Sequence, residues 1–108
     1  MGPDMQKLAQ LRARTDRQLA ALISTKLDHG FSYARVLAAR DSQAPWAAVM
    51  EVHQRAEDAW REAYRLLPAL DGIAETERAA LRRRTEALRG MLDEFAAEAL
   101  PIKRAACF

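Results

Sequence analysis

Apolar residues recur along this chain at intervals of three and four, the spacing that keeps side chains on one face of an α-helix. The first run holds Leu8, Leu11, Thr15, Leu19, Leu22, Ile23 and Leu27. It predicts a helix from about Asp4 to His29, with Pro3 suited to the entry and Asp4 complementing the positive end. Asp28-His29-Gly30 has the form of a C-cap, in which glycine is free to turn left-handed. On that reading Ser32 caps a short helix from about Tyr33 to Arg40. The alternative is one helix running through Gly30, since a glycine inside a helix costs only about 1 kcal/mol. The break is preferred because it makes the three long helices equal in length.

The second run follows the turn Asp41-Ser42-Gln43-Ala44-Pro45, with Ser42 as the expected cap and Pro45 in the first turn. Trp46, Val49, His53, Ala56, Trp60, Ala63 and Leu67 then alternate in steps of three and four, a heptad seam over three repeats. Glu51–Arg55 and Glu57–Arg61 are spaced as ion pairs on the outer face. Pro68 ends or distorts the last turn, and the short connection to Gly72 sends the next helix back antiparallel. That third helix is expected from about Ile73 to Ala99, capped by Asp71, with Glu75 and Glu77 near its positive end. Its stripe is Ile73, Ala80 or Leu81, Thr85, Leu88, Leu92, Phe95 and Ala99, with Gly90 on the opposite side. Pro101 closes it, leaving 1–3 and 101–108 as frayed tails.

The predicted architecture is all-α: one domain over 1–108, an antiparallel up-down-up three-helix bundle with a short extra helix between the first and second long helices. Each long helix of about 25 residues would span roughly 37 Å. Composition agrees, because β-branched residues are few and never alternate over a strand's length. A chain of 108 residues, half of them hydrophobic, supports one core. Size and pattern are similar to those of small bacterial export chaperones and adaptor bundles, a likeness of shape alone. The Ala- and Arg-rich usage is compatible with a GC-rich bacterial genome.

Charge and chemistry narrow the function by exclusion. Basic residues number 17 and acidic residues 15, and a net charge of +2 is weak support for a nucleic-acid partner. No run approaches the ~18 apolar residues of a membrane span, and the N-terminus lacks an apolar signal core, so a cytoplasmic protein without a membrane partner is expected. Gln6 stands where a myristoylation motif needs Ser or Thr. The lone Cys107 supports neither an internal disulfide nor, by itself, a zinc site. His29 and His53 are the only histidines. His53 is expected at the core edge, hydrogen-bonded to Glu57. Di-iron, zinc, nucleophile-elbow, phosphate-loop and dinucleotide patterns are absent, so no catalytic residue, cofactor or metal is assigned and a non-enzymatic protein is expected.

Two surfaces remain. Trp46, Val49, Met50, Trp60 and Tyr64 lie on one helix, and small alanine-rich seams leave doubt that both indoles are covered. That face is the expected site for a protein partner or a second copy of the chain. The alternative is nucleic-acid binding. Arg78, Arg82 and Arg89 share one flank of the third helix, and Arg35 and Arg40 lie in a segment with a degenerate helix-turn-helix outline. Lys26 occupies the place where that motif needs a small residue.

Overall fold

A computed structural model describes the backbone of residues 3–106 and the side chains of residues 4–99. Three helices follow one another: α1 (Pro3–Ala38), α2 (Trp46–Leu66) and α3 (Glu75–Ala106), with a 3₁₀ turn at Leu67–Ala69. No strand occurs among the described residues. The all-α, three-helix expectation therefore holds. The lengths do not match as expected: 36, 21 and 32 residues, or about 54, 31 and 48 Å.

The largest correction lies at Gly30. The helix does not break there, and the separate short helix is the end of α1. Gly30 is buried and has no left-handed backbone. Ser32 caps nothing; its hydroxyl donates to the Asp28 carbonyl one turn back, at 3.0 Å. The reason is packing. Ile23, Leu27, Ala34 and Leu37 are all buried, and the helical spacing runs through Gly30 without a phase change. A Cβ on Gly30 would stand 2.5 Å from Leu88 Cδ2 and 3.4 Å from the Ala59 Cβ. Glycine is there so that three helices can approach, not so that one can end.

The two connections also differ from expectation. Ser42 is not the cap of α2; Pro45 occupies that position and no side chain caps the helix. The Asp41 carboxylate instead accepts the Gln43 N–H at 3.1 Å, a turn stabilised by its own side chain. Pro68 converts the last turn of α2 to 3₁₀ form, as its missing N–H requires. α3 starts at Glu75, two residues later than expected, which leaves Asp71 outside the helix. It continues through Pro101 to Ala106 rather than stopping. The Cys107 tail lies outside the described residues.

The core is a line of Ile23, Leu27 and Leu37 from α1, Val49, Ala56 and Ala63 from α2, and Leu81, Leu88, Leu92 and Phe95 from α3. Four of the seven positions of the α2 seam sit at the rim of this core rather than in it. The buried face of α2 centres on Ala56, Ala59 and Ala63, with Trp46, His53, Trp60 and Leu67 only partly buried. Small side chains let α1 lie close along α2 and turn the large aromatics toward α3. On α3 every buried residue of the stripe is as expected. Gly90 is exposed with open space where a Cβ would go. Gly90→Ala is therefore expected to raise stability by about 0.5–1 kcal/mol, through helix propensity alone; a lower urea midpoint would contradict this.

Candidate functional site

α2 packs far more extensively on α1 than on α3. The α2–α3 seam divides into a closed half and an open half. In the closed half, Arg89 donates two hydrogen bonds to the Glu57 carboxylate, at 2.7 and 2.8 Å, and a third to Asp93 at 2.9 Å. Its guanidinium lies 4.6 Å from the centre of the Trp60 ring. These bonds hold the Glu57 carboxyl below its ordinary pKa of 4.5, against the opposing effect of burial. The expected Glu57–Arg61 pair is not made, because Arg89 takes the carboxylate and Arg61 turns to Asp58 at 3.2 Å. The Glu51–Arg55 pair does form, at 2.9 Å. His53 brings Nε2 to 3.3 Å from Glu57, yet its orientation makes no hydrogen bond. The ring packs tilted against Phe95, with centroids 5.0 Å apart.

The open half is a cleft of about 410 Å³ at the end where α2 turns into α3. Tyr64, Leu67, Pro68 and Leu70 form one wall, and Arg78, Arg82, Thr85 and Glu86 the other. Tyr64 stacks on Trp60 with centroids 5.0 Å apart and remains 61% exposed. Thr85 contributes a methyl rather than a donor, since its hydroxyl donates to the Leu81 carbonyl at 2.8 Å. Arg78 is anchored, donating to the Leu70 carbonyl. Arg82 is exposed on the rim and has no ion-pair partner among the described residues.

The aromatic face expected from the sequence is thus partly dismantled. Val49 is core, only 8% exposed, and is withdrawn as a contact residue. Trp46 and Met50 are half-buried, the first packed against the core. Trp60 and Tyr64 do come together, and of the two Tyr64 lines the cleft, with Trp60 stacked behind it. The five arginines of the nucleic-acid reading do not make one surface. Arg89 and Arg78 are committed as described. Arg40 donates to the Leu37 carbonyl at 2.6 Å and covers Phe95 at 4.8 Å. Arg35 and Arg82 are exposed but belong to different helices. Of the cleft residues that the sequence reading missed, Pro68 and Leu70 carried only the signal of a proline-containing turn, while Leu67 and Thr85 were read as seam and stripe positions of the core.

Among the described residues no three His, Cys, Asp or Glu side chains converge as metal ligands, and no helix is long and apolar enough to cross a membrane. Compared with known proteins, the chain matches no family model, no curated protein and no solved structure.

Proposed function

We propose that this is a non-enzymatic interaction protein whose α2–α3 cleft takes an apolar protein segment carrying a flanking carboxylate. The observation that carries the reading is Tyr64. A tyrosine that stacks on a partly buried tryptophan yet leaves most of its surface in water is an anchor of the kind that dominates protein interfaces. The cleft's apolar lining would receive aliphatic side chains, and Arg82 at the rim would pair with the carboxylate. The nucleic-acid alternative has less support, because three of its five arginines already serve the fold.

The test uses Trp60 as its own reporter in a Trp46→Phe background. Two synthetic amphipathic helical peptides with the same leucine face are titrated, one flanked by glutamates and one by lysines. Saturable quenching by the glutamate peptide alone, lost in Arg82→Glu and weakened about tenfold or more in Tyr64→Ala, is the expected result. Equal responses to both peptides, or none, would overturn the reading.

A further inference from the structure

α1 carries a second apolar stripe that the bundle covers only in part, at Leu19. α2 ends at Leu66, and the turn after it reaches α1 at Asp16, whose carboxylate lies against Gly72. The first three turns of α1 extend beyond that point. Leu8 is 62% exposed and Leu11 57%, and farther along the same side Leu22 is 43% exposed. Leu19 is half-buried and Thr15 is exposed. A projecting segment of about a dozen residues is too short to be a stable helix by itself in water. Leu8 and Leu11 on that segment, in line with Leu19 and Leu22 farther along α1, make an apolar face that calls for a cover.

The order of residues on that face identifies the cover. Asp4, Leu8, Leu11, Thr15, Leu19, Leu22 and Lys26 fall at intervals of 4, 3, 4, 4, 3 and 4, the same from either end. At about 100° per residue all seven lie within a strip on one side of α1. A closed two-fold dimer requires a self-complementary patch: if position i meets position j, then j meets i. This stripe meets that requirement in chemistry as well as spacing. With the axis at Thr15 and the helices antiparallel, Leu8 faces the partner's Leu22 and Leu11 faces the partner's Leu19. Asp4 faces the partner's Lys26, acid against base. Neither Asp4 nor Lys26 makes an ion pair among the described residues, and Lys26 is half-buried on the rim of a cleft that it shares with Asp58 and Glu62 of α2. Thr15 sits at the axis with its hydroxyl already donated to the Leu11 carbonyl, at 2.9 Å, so a close approach there strands no donor.

We infer that the chain forms a homodimer through antiparallel pairing of two α1 helices about a two-fold axis at Thr15. The projecting turns of each copy lie on the body of the other. This surface is on α1 and is independent of the α2–α3 cleft.

Light scattering after size exclusion gives the mass, and directed crosslinking gives the register. The full chain is expected to run as a dimer. Leu11→Glu, which changes an exposed position and leaves the core intact, is expected to raise the dissociation constant about a hundredfold while circular dichroism stays helical. In a Cys107→Ser background, Thr15→Cys is expected to oxidise to a covalent dimer, while Gln10→Cys, on the far side of α1, does not. Asp4→Lys should weaken the dimer and Asp4→Lys with Lys26→Asp should restore it. A monomer at concentrations of about 100 µM, a dimer unaffected by Leu11→Glu, or equal crosslinking through Gln10→Cys would overturn the proposal.

Discussion

Gly30→Leu is expected to lower stability by about 3 kcal/mol or more, the upper end of what overpacking a closed core costs. The site has no room. Even the first carbon of a side chain would stand 2.5 Å from Leu88 Cδ2, and Leu88 is itself a fully buried member of the core. Helix propensity works the other way, since leaving glycine gains about 1 kcal/mol. That gain is smaller than the steric term, so the sign is set by packing. For a domain near this size each kcal/mol moves the melting temperature by roughly 4–8 °C, so a fall of more than ten degrees is expected. The cause is separable by a double-mutant cycle. Leu88→Ala alone should cost about 2–5 kcal/mol by opening a cavity. In that background Gly30→Leu fills the space it previously lacked, and its cost should largely vanish. A Gly30→Leu variant that melts where the parent does would remove the three-helix crossing from the account. It would restore the capping role first read from the sequence.

The same residue shows what was and was not legible in the chain. Periodicity located every buried residue of α3, because Leu81, Thr85, Leu88, Leu92 and Phe95 point inward whatever packs on them. On α1 the stripe was read only as far as Leu27; Ala34 and Leu37 keep its phase across Gly30, but the preference for equal helix lengths placed a break there. Glycine and proline were misread for a common reason. A glycine preceded by Asp-His and a proline after Ala-Leu have the local form of helix ends, yet tertiary contact at Gly30 and continuation of the helix at Pro101 set the outcome. The cleft was half legible. Trp60 and Tyr64 are one turn apart on a helix, so their stacking follows from spacing. Their meeting with Arg82 and Arg89 depends on how α2 rotates about its alanine face, which no local pattern encodes. The palindromic order on α1 was present in the sequence. Its meaning needed the structure, because the short α2 shows that Leu8 and Leu11 lie beyond the bundle and are left uncovered.

Arg89→Met is expected to cost about 2 kcal/mol at neutral pH, and the loss should depend on pH in a stated direction. Methionine keeps an apolar stem near Trp60 but removes the partner of a carboxylate whose side chain is only 18% exposed. Breaking a fully buried pair costs about 3–5 kcal/mol; the figure is reduced here because Arg89 is 27% exposed and Glu57 retains some contact with water. The bond to Asp93, which is 66% exposed, adds little. Converting both partners, Arg89→Met with Glu57→Gln, should recover most of the loss by leaving no charge stranded. Hydrogen bonds from Arg89 are the main cause of the lowered Glu57 pKa. A carboxyl lowered in the folded state contributes stability that is fully present above its ordinary value of 4.5 and is lost as pH falls through the lowered value. In Arg89→Met the largest cause of the lowering is gone and burial is opposed only by the weaker attraction of His53 and Arg61, so protonation of Glu57 relieves the variant. The two unfolding midpoints should therefore stand furthest apart near pH 7 and converge on acidification below about pH 4.5. A gap of the same size at pH 3 and pH 7 would show that Arg89 stabilises the seam through its stacking on Trp60 and not through Glu57.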